Sequence, residues 1–227
     1  MSEELLTMQN VKLPVGADGE SAVEGIDCVL SPGALLLVQC DHLSNWIGFS
    51  EVALGLLAPE AGVVTWKGNT WVGMSPDAAA RERSRIGRVF RGRAWISNLD
   101  VDENITLATR HHSKRNPAEI YADAVQLAER FGWSEIPAQR PARLRLHDLQ
   151  IAQWIRAFVG HPDLVLLEEP CHEVSRREGM LLAEWVGEYC GRGGAVVWMT
   201  EREETLNNTS LQPTLRAKIF GDRWEQL

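Results

Sequence analysis

The sequence predicts an α/β fold built on a mostly parallel sheet, and three observations predict it. Continuous apolar runs at 34–39, 164–167 and 195–199 are strand-length and do not alternate with polar residues, as expected of strands covered on both faces. Helical stretches separate these runs, which is the pattern of parallel strands joined by crossovers. A longer helical block over 102–160 interrupts the alternation.

The remaining elements follow in chain order. Residues 4–12 and 20–30 carry strand-like runs separated by the turn formers Gly16, Asp18 and Gly19. The stretch 44–57 has apolar residues at 46, 47, 49, 52–54, 56 and 57, too dense for a surface helix and suited to a buried one. Pro59 and Gly62 end it. A short strand at 63–66 precedes the turn Lys67-Gly68-Asn69, and 76–85 is helical before an extended 86–90. Residues 102–110 and 117–131 are helices, the second with Pro117 in its first turn. The stretch 132–146 is loop, 148–159 an amphipathic helix, and 175–190 a helix closed by Gly191 and Gly193.

Bulk properties narrow the function classes. The chain has 227 residues, enough for one domain with a small subdomain, and its 44% hydrophobic and 24% charged content is that of a globular protein. No apolar run reaches membrane-helix length, and the acidic start Met1-Ser2-Glu3-Glu4 does not match a secretory signal. A net charge of -8 argues against general nucleic-acid binding. Cys28, Cys40, Cys171 and Cys190 form no CxxC pair, so buried thiols in a reducing compartment are expected. Nine tryptophans allow two readings, core packing or anchors for a protein partner.

Six segments, in order, resemble the nucleotide-binding subunit of an ABC transporter over roughly residues 5–224. They are Ala22-Val23-Glu24-Gly25-Ile26 through Ser31-Pro32-Gly33; the loop and helix 34–57; Gly55 to Gly62 with Trp66-Lys67-Gly68; Ile86-Gly87-Arg88-Val89-Phe90; Ile155-Arg156-Ala157; and His161-Pro162-Asp163 through Glu168-Glu169-Pro170. The resemblance implies a RecA-like P-loop NTPase core, an N-terminal antiparallel β arm, and a helical subdomain near 95–160 within a single fold spanning 1–227. The stretch from Ala94 to Ile105 looks most like the ATPases of MCE (Mla-type) bacterial lipid transporters.

Placed on that frame, the nucleotide contacts are altered. A phosphate loop needs glycines whose N–H groups curl round the phosphates, a lysine to neutralise them, and a hydroxyl to hold magnesium. Here the glycine slots hold Cys40, Leu43 and Asn45, the lysine slot holds Trp46, and the hydroxyl slots hold Ile47 and Gly48. Asp41 adds negative charge. A β-carbon on Leu43 resists the positive φ of such a loop. The lysines are Lys12, Lys67, Lys114 and Lys218, and none follows a glycine, so no register restores the motif. The Q-loop glutamine aligns with Arg91, the signature with Leu144-Arg145-Leu146-His147-Asp148, the D-loop aspartate with Ser175 and the switch histidine with Glu201. No aromatic residue precedes Trp46 to stack an adenine. Glu168 and Glu169 keep the charges of the Walker B strand, either as a surviving half-site or as acids paired with nearby arginine.

Arg81, Arg83, Arg85, Arg88, Arg91 and Arg93 fall within thirteen residues. They form either a solvated face or, with Trp95, a docking site for an acidic partner; Arg88, Arg91, Arg93 and Trp95 are the candidates. His111-His112 lacks a ligand-spaced companion, and no metal site is expected.

The sequence therefore leads to an expectation of a pseudo-ATPase, not an enzyme, without bound cofactor. It would be a structural or regulatory subunit at the cytoplasmic face of a bacterial membrane, on a transmembrane permease and paired with itself or a paralogous ABC ATPase. Two alternatives remain. One is an ATP-binding and hydrolysing subunit with a non-standard site using Glu168, Glu169 and the arginines, with ATP and magnesium as its ligands. The other is a soluble binding module on the same fold.

Overall fold

A computed structural model describes residues 4–15, 22–40, 43–92, 94–202, 205 and 211–227, with backbone alone at 43–45. Its elements in order are β1 (Leu6–Lys12), β2 (Ile26–Leu30), β3 (Leu35–Cys40), α1 (Leu43–Ala53), β4 (Ala61–Trp66), β5 (Asn69–Thr70), α2 (Pro76–Arg83) and β6 (Ile86–Val89). There follow α3 (Val101–His112), α4 (Pro117–Arg130), α5 (Leu146–Phe158), β7 (Leu164–Glu168), α6 (Arg176–Gly191), β8 (Ala195–Thr200), β9 (Leu215–Phe220) and β10 (Arg223–Gln226). The expected loop 132–146 contains a 3-10 turn at Pro141–Arg143.

Two sheets form. The larger has the order β10-β9-β3-β8-β7-β6, parallel except for the antiparallel edge strand β10. The smaller, β2-β1-β4-β5, is antiparallel throughout and is the expected N-terminal arm. Side-chain alternation along a strand sends successive residues to opposite faces. Leu35 and Leu37 of β3, Val165 and Leu167 of β7, and Val196 and Trp198 of β8 meet α4, α5 and α6 on one face. Leu36, Val38, Leu164, Leu166, Val197 and Met199 meet α1 and the antiparallel sheet on the other. Both faces are covered, which is why the central strands read as unbroken apolar runs.

Local chemistry sets the helix starts. Ser75 and Asn116 cap α2 and α4 ahead of Pro76 and Pro117, and capping boxes Asp100/Glu103 and Ser175/Glu178 open α3 and α6. The tryptophans serve the core: Trp46, Trp66 and Trp154 are fully buried. Trp66 donates to Glu82 at 2.8 Å and Trp154 to the Pro170 carbonyl at 2.9 Å. Helices α3, α4 and α5 share one apolar cluster with the parallel sheet. Strand β6 approaches α5 so closely that a Cβ on Gly87 would meet the Ala157 carbonyl oxygen at 1.9 Å.

Candidate functional site

The strand β3, the helix α1, the end of β6 and the end of β7 converge as expected of a nucleotide cassette, but the side chains they deliver differ. Trp46, in the first turns of α1, is fully buried, and its indole N–H finds no acceptor among the described residues. The Arg91 guanidinium lies 4.7 Å from the centre of its ring, a cation–π contact. Arg91 also pairs with Glu201 at 3.1 Å. The lysine, Q-loop and switch slots are thus joined through Trp46, Arg91 and Glu201. Cys40 closes β3 in the core, and Leu43 and Asn45 stand within α1. Asp41 and Arg93 lie outside the described residues.

Glu168, at the end of β7, is buried and accepts from Arg88 Nε at 2.5 Å and from the Arg91 backbone N–H at 3.4 Å. Arg88 also lies 4.4 Å from the centre of the Phe90 ring, and only a tenth of its side chain is exposed. It is an internal cation rather than a docking one. An acid and a base buried together need each other, since either alone would be an uncompensated charge. Glu169 takes a positive φ of 41°, unusual for a residue with a side chain. Its buried carboxylate accepts from the Glu201 backbone N–H at 2.7 Å and from the Thr200 hydroxyl at 3.3 Å, and faces Arg202 at 3.7 Å.

The described part of the arginine run divides: Arg81 and Arg85 are exposed, whereas Arg83, Arg88 and Arg91 turn into the molecule. Arg83 donates to the Leu54 and Gly55 carbonyls at 2.9 and 3.0 Å. Arg85 makes a two-pronged pair with Asp163, which also holds Lys67 at 2.7 Å. Trp95 packs under the guanidinium of Arg156 at 4.4 Å, and Arg156, pushed down to about 10 by burial, donates to the Ala94 carbonyl.

The signature slots sit at the start of α5. Leu144 ends the 3-10 turn, Arg145 occupies the N-cap without a side-chain cap, and Leu146 is exposed. His147 bridges Asp148 at 3.0 Å and Glu178 at 2.7 Å, tying α5 to the capping box of α6. Hydrogen bonds to Asp148 and Glu178 raise its pKa. His111 and His112 stack edge to face at the end of α3.

A cavity of about 530 Å³ gathers Ile47, Glu51, Arg88, Phe90, Arg91 and Glu168 along its wall. Ile47, Arg91 and Glu168, three positions the resemblance singled out, therefore share one space. The pairing of the acids with arginine was one of the two sequence readings; which arginine was not legible, since Arg88 and Glu168 are 80 residues apart and only the fold brings the cation of β6 to the acid of β7.

The fold is that of an ABC ATPase cassette. It superposes on the ATP-binding subunit of an ABC transporter with a TM-score of 0.82 at 17% identity, covering 98% of this chain and 90% of that one. It matches MJ0796, a bacterial ABC transporter cassette captured as a post-hydrolysis dimer with ADP and Pi, with a TM-score of 0.80 at 18% identity and 98% of both chains.

Among curated proteins, the chain is 24% identical over 191 residues to the ribose import ATP-binding protein RbsA of Rhodopirellula baltica; the match takes in 83% of this chain but spans only 37% of that protein. It is 26% identical over 187 residues to the ABC transporter ATP-binding protein YbbA of Escherichia coli, at 81% of each chain. It is 27% identical over 156 residues to the lipoprotein-releasing ATP-binding protein LolD of Idiomarina loihiensis, at 68% of each. No protein-family model matches the chain.

These likenesses bear out the resemblance to ABC-transporter ATP-binding subunits and overturn the expectation of a non-enzyme. The relatives are named as ATP-binding proteins, and a neighbour of the same fold was caught after hydrolysis. Two arginines, Arg88 and Arg91, reach the wall of the cavity, paired with Glu168 and Glu201. No helix among the described residues is long and apolar enough to cross a membrane.

Proposed function

We propose that the chain is the ATP-binding subunit of a membrane transporter, with a nucleotide site of non-standard composition. It would work at the cytoplasmic face of the membrane against a transmembrane permease, paired with a second cassette. The observation that carries the site is the cavity beside α1, where Arg88 and Arg91 stand in place of a loop lysine. Guanidinium groups hold phosphate oxygens by forked, charge-assisted hydrogen bonds and stay charged at every physiological pH. Arg91 is the better placed of the two for a ligand. Its partner Glu201 is nearly half exposed, whereas Glu168 holds Arg88 from a buried position.

Glu169 stands at the family's general-base position. Its carboxylate is held by the Glu201 backbone N–H and the Thr200 hydroxyl, which orients it. The transported cargo is proposed to be lipid, on the resemblance of Ala94 to Ile105 to MCE-type ATPases.

Two measurements test the proposal. Recovery of a transmembrane permease with the chain from native membranes supports the transporter role, and repeated recovery without one overturns it. Saturable heat on titration with ATP supports the nucleotide site, and its absence at millimolar ATP overturns that part.

A further inference from the structure

In a phosphate-loop protein the divalent cation is held by a hydroxyl next to the loop lysine and by the acid of the second strand motif. The residues here do not fit a divalent cation. Ile47, in the hydroxyl slot, offers no donor atom, and Arg91 brings positive charge to the same cavity. Glu168 has one oxygen engaged by Arg88 Nε at 2.5 Å, and its other oxygen accepts the Arg91 backbone N–H at 3.4 Å. A metal ion beside Glu168 would meet the like charge of the Arg88 guanidinium.

We propose that Arg88 is a resident cation standing in the divalent ion's place, so that a polyphosphate ligand binds this cavity without Mg2+. The proposal rests on the nucleotide reading above. Geometry supports permanence: Arg88 is fixed by the buried Glu168 on one side and by the face of Phe90 on the other. A guanidinium so held carries one charge where Mg2+ carries two, and it offers directed N–H donors rather than an open coordination sphere. The other charged residues on the cavity wall are Arg91, steadied by Trp46 and Glu201, and the acid Glu51.

Two readouts on the purified full chain test the proposal. In the first, Mn2+ alone is titrated into wild type, Arg88→Ser and Arg88→Lys, and followed by its electron paramagnetic resonance signal. Only Arg88→Ser is expected to bind Mn2+, at least about tenfold more tightly than the other two. Equal binding by wild type, or no binding by a folded Arg88→Ser, overturns the proposal. In the second, ATP affinity of the wild type is compared in EDTA and in Mg2+. Affinities within about twofold are expected, and tightening by about tenfold or more in Mg2+ overturns the proposal. ATP that binds in neither buffer sinks the nucleotide reading, while the Mn2+ contrast still decides whether Arg88 holds the metal's place.

Discussion

Arg88 and Glu168 form a buried ion pair, with a tenth of one side chain and a fiftieth of the other exposed. Breaking such a pair from one side leaves a bare buried charge, a loss of about 3–5 kcal/mol. Arg88→Met should therefore lower unfolding stability by about that much, and the double variant Arg88→Met/Glu168→Met should recover most of it. Chemical denaturation checks both; a double variant no better than the single would show that the pairing is not what the site depends on. The substitution of Trp46 for the loop lysine was legible in the sequence, because no Gly-Lys pair exists anywhere in the chain. The ring's partner was not. Trp46 and Arg91 are far apart in sequence and meet because α1 packs against β3 and β7, and β6 pairs with β7.

Among the elements, the central strands were readable because strands covered on both faces need continuous apolar runs, and Leu164–Glu168 and Ala195–Thr200 have them. The hairpin β9–β10 was not foreseen. Ala217 and Ile219 alternate with Arg216 and Lys218 ahead of the Gly221-Asp222 turn, a short signal diluted by cations. The contact of β6 with α5 was also hidden, since a glycine in a strand does not say which backbone approaches it. Gly87→Ala should push the two elements apart and destabilise by about 1–3 kcal/mol, an effect of overpacking measurable by thermal unfolding.

The junction of α5 with α6 should respond to pH through His147. The pKa of His147 is raised in the folded state by Asp148 and Glu178, so its contribution is full below the unfolded value near 6.5 and is lost as pH rises through the folded value. His147→Ala should therefore destabilise in mildly acidic solution and converge with wild type in alkaline solution. A constant difference across that range would refute the linkage.

At the scale of the whole molecule, Asp163 joins the antiparallel arm to the parallel sheet. It pairs with Lys67 in the β4–β5 turn and with Arg85 ahead of β6. Burial opposes its ionisation, but the hydrogen bonds of Arg85 and Lys67 outweigh it and lower the pKa. Its contribution is present above the unfolded value near 3.8 and is lost as pH falls through the folded value. Asp163→Asn should cost about 1.5–3 kcal/mol for each charge-assisted bond weakened, with the difference shrinking in strong acid.

The fold brings α1, the end of β6 and the end of β7 to one cavity, and this chain furnishes that cavity with Arg88 and Arg91. The most direct test is a calorimetric titration of ATP into the purified wild type and Arg91→Gln side by side. The account predicts saturable heat with the wild type and an affinity weakened by about tenfold in the variant. No heat with the wild type at millimolar ATP, or equal affinity in the variant, would contradict it.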